Sequence, residues 1–225
     1  MHVIGGLRAR LRRVLGAGRS WRGGPRWGVV AQVREPLELL IPFVAHDLGA
    51  GASRVTLFMD DPDDPAIPVL EGIPGVDVVP CDAAHWSFIP GGRPARKLDR
   101  QVANFTFAHA ESDLDWIAHI DADEYIVAPG GVRRLLRRLG ARDGWINLPP
   151  LERVWTESDT RDTLFGGHLR SALPGGVREV REIFGTGMPQ LEPSGLAGHH
   201  GGKVLAPVGA DLTFRMHRAQ GPDGE

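Results

Sequence analysis

The sequence predicts an α/β domain with a mostly parallel sheet flanked by helices. Short apolar runs rich in β-branched residues alternate with helical segments, in the order strand, helix, strand, strand, helix, strand. This alternation is typical of parallel sheets that are covered by helices. Acidic residues follow two of these strands, at the sheet edge where ligands bind in such folds.

Strands are expected mainly in the first 120 residues, as buried runs bounded by glycine- and proline-rich turns. Their predicted bounds are Trp27–Val33, 53–60, 76–81 and 116–120. Downstream the pattern weakens, and the loops contain much glycine and proline. There the expected elements are a basic helix at 131–140 and strands at 144–149, 203–207 and 212–217.

Two longer helices connect the predicted strands. Pro36 suits the first turn of a helix that ends near Gly49, because that turn leaves its amide hydrogens unpaired in any case. A second helix is expected over residues 96–112. Its apolar residues recur at spacings of three and four and should form the buried face: Leu98, Val102, Phe105 and Ala108.

The composition is that of an ordinary globular chain and disfavours several function classes. Of the 225 residues, 42% are hydrophobic and 24% are charged, and the net charge of -2 gives no argument for nucleic acid binding. The single cysteine, Cys81, excludes an internal disulfide framework and a cysteine-built metal site. No apolar run is long enough to cross a bilayer. A cytoplasmic location is therefore expected.

The first residues are strongly basic, with seven arginines and no acid in residues 1–26. We expect this segment to be a solvated, flexible leader. The alternative is peripheral contact with an anionic inner membrane surface. Residues 27–218 are then expected to form a single domain, and residues 219–225 a tail.

The segment DWIAHIDADEYIV, residues 115–127, places three carboxylates where an apolar strand ends: Asp121, Asp123 and Glu124. In an extended chain, side chains two residues apart point the same way, so Asp121 and Asp123 can face one hard cation. Carboxylate oxygens suit Mg²⁺ or Mn²⁺, and such an ion stabilises a departing diphosphate. The alternative interpretation is a solvated turn.

Three other kinds of site have a similar spacing of acids. An EF-hand loop needs glycine at its sixth position, which holds Ile126. A phosphatase that forms an aspartyl-phosphate usually carries Thr or Val where Tyr125 stands. A nucleotidyltransferase stays open, because it also holds a metal with paired aspartates.

The segment WIAHIDADEYIV resembles the DxDE-containing segment of glycosyltransferases of the family 2-like group, in the subset related to the DUF23-type enzymes. Asp121 and Asp123 match the DxD motif, and Glu124 matches the acid that follows it. Residues 29–64 are similar to the family's first βαβ unit. There Glu35 matches a family glutamate, whereas Arg34 stands where asparagine is usual.

This resemblance covers roughly residues 27–217 and implies a specific activity. It implies a GT-A fold, a nucleotide-diphosphate sugar donor, a divalent cofactor (Mn²⁺ or Mg²⁺) and inversion at the anomeric carbon. It also implies a glycan or lipid-linked acceptor, in the synthesis of cell-surface polysaccharide. A non-catalytic protein that binds sugar nucleotides on the same fold is the remaining alternative, which the departures at Arg34 and Pro42 leave open.

Residue roles follow from the resemblance and from position at strand ends. The expected metal ligands are Asp121, Asp123 and His217, the last in the segment FRMHRA. The expected donor-binding residues are Glu35, Asp60, Arg100, Asp121 and, in the segment HHGGKVLAP, Lys203.

An inverting transfer needs a general base. The segment VWTESDTRDTLFGG resembles the family's acceptor side, so the expected base is Glu157 or Asp159. Glu124 is expected to support its loop by hydrogen bonding.

Overall fold

The computed structural model describes residues 24–139, 144–158, 166–185, 194–198 and 200–222. The predicted leader up to residue 23 and the predicted base Asp159 lie outside these ranges. The chain divides into two compact units, one formed by Met1–Ile146 with Val204–Glu225 and the other by Asn147–Lys203.

The element order confirms the predicted α/β class. The strands are β1 (Trp27–Val33), β2 (Arg54–Met59), β3 (Val76–Pro80), β4 (Trp116–His119), β5 (Ile146–Leu148), β6 (Leu151–Val154), β7 (His168–Ser171), β8 (Lys203–Pro207), β9 (Thr213–Arg215) and β10 (Arg218–Gln220). The helices are α1 (Leu37–Gly49), α2 (Ile67–Glu71), α3 (Ala83–Trp86), α4 (Lys97–Glu111), α5 (Val132–Leu139) and α6 (Gly176–Phe184).

Six strands form the central sheet, in the order β3-β2-β1-β4-β8-β5. The first four of these run parallel, and β8 pairs with β4 in the antiparallel direction. All seven residues of β1 are buried, as expected for a central strand that is covered on both faces. Because β1 to β4 are parallel, their carboxyl ends share one edge of the sheet.

Helix α4 covers one face of this sheet. Phe105 of α4 packs in a single apolar cluster with Val30, Phe58 and Ile117, one from each of the strands β1, β2 and β4. The helix differs from its predicted pattern, because Leu98 is exposed. The first half of the buried face is polar instead and consists of Arg100, Gln101 and Asn104. This reversal arises because that half of α4 faces the polar groups at the carboxyl edge of the sheet.

Two predicted strands have different bounds in the structure. Strand β4 ends at His119, so the three acids that follow belong to a turn and not to extended chain. The strand predicted at 212–217 is a hairpin of β9 and β10, in which Arg215 pairs with Arg218. His217 therefore lies in the hairpin turn, half-buried, and the last strand continues to Gln220.

The second unit contains elements that the sequence did not predict. Strands β6 and β7 form an antiparallel pair in which Glu152 lies opposite Arg170. Helix α6 follows them and buries Val180. The short helices α2 and α3 of the first unit were also not predicted.

Candidate functional site

The carboxyl edge of the four parallel strands gathers polar side chains from distant parts of the sequence. Gln32 is the penultimate residue of β1, and Asp60 directly follows β2. Cys81 and Asp82 follow β3, and Asp121 comes two residues after β4. This is the edge at which open α/β sheets bind ligands.

Asp60 is the centre of an ion-pair cluster. Arg100 forms a bidentate ion pair with it, with Nε 2.8 Å from Oδ1 and Nη2 3.0 Å from Oδ2. Gln32 and Arg93 each donate to Oδ1 at 3.1 Å. Two-point guanidinium–carboxylate pairs are among the stronger charged contacts in proteins, because both hydrogen bonds are charge-assisted. The cluster joins the ends of β1 and β2 to α4.

Arg100 was expected to bind the nucleotide sugar. Most of its N–H groups, however, already donate hydrogen bonds to other residues of the protein. Besides its two bonds to Asp60, its Nη1 donates to the carbonyl of Ala95 at 2.8 Å and to that of Pro94 at 3.3 Å. Its side chain is only 10% exposed. Arg100 therefore neutralises Asp60 and anchors the segment before α4.

A buried amide chain extends this cluster. Asn104 donates from Nδ2 to Gln32 Oε1 at 3.0 Å, and its Oδ1 lies 2.8 Å from His85 Nε2. Since an amide oxygen only accepts, His85 donates from Nε2. Burial lowers the pKa of His85, which favours the neutral imidazole. Burial also raises the pKa of the Cys81 thiol to about 12.

A cavity of about 590 Å³ opens beside Asp60, between the ends of β2 and β3. Its size falls within the usual range for small-molecule sites. Trp86 contributes an indole that donates from Nε1 to the carbonyl of Cys81 at 2.8 Å, which holds the ring in place. The lining residues are Asp60, Pro62, Cys81, Asp82, Ala83, Trp86, Ser87, Gly92 and Arg93.

The acidic motif forms a closed turn. The amide of Glu124 donates to the carbonyl of Asp121 at 3.0 Å, and the amide of Asp121 donates to Glu124 Oε2 at 3.2 Å. The loop-supporting role expected for Glu124 is therefore confirmed. The alternation expected for an extended chain does not apply here: Asp121 is half-buried, Ala122 is buried and Asp123 is exposed.

Two residues that the sequence analysis missed position this turn. Gln101 of α4 donates from Nε2 to Asp121 Oδ1 at 2.7 Å. His46 of α1 lies 3.1 Å from the carbonyl of Ile126 through Nε2, and its ring meets Tyr125 edge-on at 5.1 Å between centroids. The acidic turn is thus held by α4 on one side and by α1 on the other.

The carboxylate oxygens at this turn suit a hard divalent cation, although only two side chains supply them. Asp121 and Asp123 offer carboxylate oxygens only, which Mg²⁺ and Mn²⁺ prefer, and Mg²⁺ is often held by one or two carboxylates with waters and phosphate oxygens. Within the described residues, no three His, Cys, Asp or Glu side chains come close enough together to hold a metal. The two aspartates fit a site that substrate oxygens complete.

The remaining predicted residues lie in several places. Glu35 is half-buried just after β1, and its Oε2 accepts the backbone amide of Arg34 at 2.7 Å. Lys203 is buried as the first residue of β8. Glu157 is exposed in the turn after β6, in the second unit.

The second unit has its own charged centre at Glu152. The carboxylate accepts the amides of Ala197 at 2.8 Å and Gly198 at 3.0 Å, and it pairs with Arg170. Burial alone would raise the pKa of Glu152, but the bonds from Gly198, Arg170 and Ala197 outweigh it and hold that pKa below its ordinary value. These contacts tie the segment 194–198 to the β6–β7 pair.

Comparison with known proteins names no family. No protein-family model matches the chain, and no curated protein matches it. Among the helices that the structure describes, none is long and apolar enough to cross a membrane.

Proposed function

We propose that this protein is a metal-dependent, inverting glycosyltransferase with a GT-A-like fold. It moves a sugar from a nucleotide-diphosphate sugar to a glycan or lipid-linked acceptor. One arrangement carries the proposal: four parallel strands bring Asp60, Asp82, Asp121 and Asp123 to one sheet edge, and Asp60 and Asp82 line a cavity of about 590 Å³ there. The resemblance of residues 116–127 to the DxDE segment supports it.

The cavity is the proposed site for the nucleoside part of the donor. It combines an aromatic wall, Trp86, with acidic groups at Asp60 and Asp82. A nucleobase has a flat face that packs on an aromatic ring and an edge whose N–H groups donate to carboxylates. Glu35 at the end of β1 is the further donor-binding residue in this proposal.

The acidic turn is the proposed site for the diphosphate. Asp123, which is exposed, binds the cation directly, and Asp121, held by Gln101, contacts it through water or accepts from the donor's ribose. When bound, Mn²⁺ or Mg²⁺ supplies the positive charge that stabilises the departing diphosphate. Because α1 and α4 both hold the turn, its backbone and the Asp121 carboxylate need little reorganisation when the nucleotide sugar arrives.

The acceptor side of the proposal rests on the resemblance. Glu157 or Asp159 would remove the proton of the acceptor hydroxyl as it attacks the anomeric carbon. Lys203 and His217 stay proposed donor and metal contacts.

The test is a thermal-shift panel of nucleotide sugars with and without Mn²⁺. Wild-type protein should be stabilised by at least one nucleotide sugar, and more strongly with Mn²⁺ present. Asp123→Ala should lose the dependence on Mn²⁺. Asp211→Ala, which removes an exposed acid in the loop between β8 and β9, is the matched control and should keep it.

Two outcomes would change the proposal. If calorimetry detects no binding of Mn²⁺ or of any nucleotide sugar to wild-type protein, the proposal fails. If nucleoside triphosphates bind and release pyrophosphate while nucleotide sugars do not bind, the reaction is nucleotidyl transfer.

A further inference from the structure

Arg93 reaches Asp60 from the loop between α3 and α4. Its Nη2 donates to Asp60 Oδ1 at 3.1 Å, and its guanidinium carbon lies 5.9 Å from the centre of the Trp86 ring. Arg93, Trp86 and Asp60 all line the cavity. The side chain therefore occupies the space between the aromatic wall of the cavity and its carboxylate.

One oxygen of the Asp60 carboxylate, Oδ1, is fully used in this arrangement. It accepts from Gln32, Arg100 and Arg93, whereas Oδ2 accepts from Arg100. A carboxylate offers about four acceptor positions, two on each oxygen. A ligand that donates to Oδ1 must therefore replace one of the three hydrogen bonds made there.

Arg93 is the donor that gives way most easily. Its side chain is 47% exposed, whereas that of Arg100 is 10% exposed and is also held by two backbone carbonyls. Exposed ion pairs contribute little to stability, because water and salt screen them. Removal of Arg93 also leaves Asp60 neutralised by Arg100, so no buried charge is left alone.

The loop that carries Arg93 has room to move. Gly91 and Gly92 precede it with φ of 86° and 74°, and a Cβ added at either glycine would meet no atom of the described part of the chain within 4 Å. Two glycines in the left-handed region, next to open space, allow the backbone to change conformation without a steric penalty.

We infer that Arg93 is an internal competitor for Oδ1 of Asp60: it occupies this oxygen while no ligand is bound, and a ligand donates to Oδ1 only when Arg93 leaves. The guanidinium is a flat N–H donor beside an aromatic ring, so the ligand group that replaces it has the same chemistry. A nucleobase has this chemistry, and to that extent the inference rests on the proposed function.

The competitor role can be measured without any ligand, through the single cysteine of the chain. Cys81 lines the same cavity and is buried, and its raised pKa makes its reaction with a thiol reagent slow at pH 8. The labelling rate therefore reports how readily the Arg93 side chain leaves the cavity lining. Arg93→Ala should raise this rate about two- to fivefold, a factor that corresponds to the free energy of an exposed ion pair. High salt should accelerate labelling of wild-type protein but not of Arg93→Ala.

Arg96→Ala is the matched control, since Arg96 lies in the same segment but pairs weakly with Asp99 at 4.0 Å. This variant should label at the wild-type rate. If Arg93→Ala labels no faster than wild-type protein, or if Arg96→Ala labels as fast as Arg93→Ala, the inference is wrong.

A second arm uses UDP-glucose and GDP-mannose, each with Mn²⁺, as probes that protect Cys81 from labelling. If one protects, its midpoint should be about two- to fivefold lower for Arg93→Ala than for wild-type protein. Equal midpoints would overturn the competitor role and leave the proposed function standing. If neither probe protects while Arg93→Ala still labels faster, the competitor role stands and the nucleotide-sugar proposal loses its support.

Discussion

Arg100 and Asp60 form a two-point ion pair, at 2.8 and 3.0 Å, that joins the beginning of α4 to the end of β2. Both side chains are about nine-tenths buried. The pair therefore couples the stability of the sheet edge to the integrity of the candidate site.

Arg100→Ala should lower the free energy of unfolding by about 2–4 kcal/mol. The reason is that a buried carboxylate loses its closest cation, while Gln32 and Arg93 compensate only in part. Urea denaturation measures the change. Arg96→Ala, an exposed arginine in the same segment, should change stability by less than about 0.5 kcal/mol. Equal losses in the two variants would contradict the central role of the pair.

Gln101→Leu should weaken Mn²⁺ binding about tenfold, provided that the acidic turn binds metal as proposed. The amide of Gln101 orients Asp121 through a 2.7 Å hydrogen bond, and loss of such a supporting bond typically costs metal affinity of that order. Electron paramagnetic resonance of free Mn²⁺ measures the affinity. Thr106→Ala, at an exposed position further along α4, should bind Mn²⁺ like wild-type protein. Unchanged affinity in Gln101→Leu would rule out this role.

His46→Phe should loosen the acidic turn. The substitution keeps a ring against Tyr125 but removes the donor to the carbonyl of Ile126, which should cost about 1 kcal/mol. Hydrogen exchange in peptides that cover residues 121–127 should become faster. His46→Gln retains a donor and should restore part of the protection. If the exchange rates of His46→Phe and wild-type protein agree, the contact does not hold the turn.

Because of Asp47, we expect the free energy of unfolding to decrease as pH rises. The residue is fully buried in α1, neither of its carboxylate oxygens has a hydrogen-bond partner among the residues that the structure describes, and burial raises its pKa to about 7. Because the folded state holds this proton more tightly than the unfolded state, the contribution to stability is complete at low pH and is lost as pH rises towards 7.

The corresponding loss between pH 5 and pH 8 is on the order of 3 kcal/mol. Asp47→Asn should lack this component, so its free energy of unfolding should fall less over that range in urea titrations. Asp211→Asn, at an exposed position, should follow the wild-type curve. A parallel decline in Asp47→Asn and wild-type protein would show that Asp47 does not titrate in this range.

The sequence was sufficient to predict the four parallel strands and hence the edge at which the acids meet. Buried β-branched runs such as Trp27–Val33 are unambiguous in a sheet that is covered on both faces. The polar face of α4 was not predictable in the same way. Gln101 and Asn104 resemble solvent-facing helix positions until the position of the sheet edge is known. Local pattern also left two interpretations of Asp121–Glu124 open, extended chain or a turn, since a strand pattern does not specify its last residue.

The pairing of β8 with β4 has a consequence for biosynthesis. On the ribosome, β4 is completed well before Lys203–Pro207 emerges to pair with it. At usual elongation rates this interval lasts about 4 to 16 s. During that time one side of β4 presents unpaired backbone amides and carbonyls to other nascent chains. Chaperone occupancy on this chain should therefore peak after β4 has been translated and decline once β8 has been added.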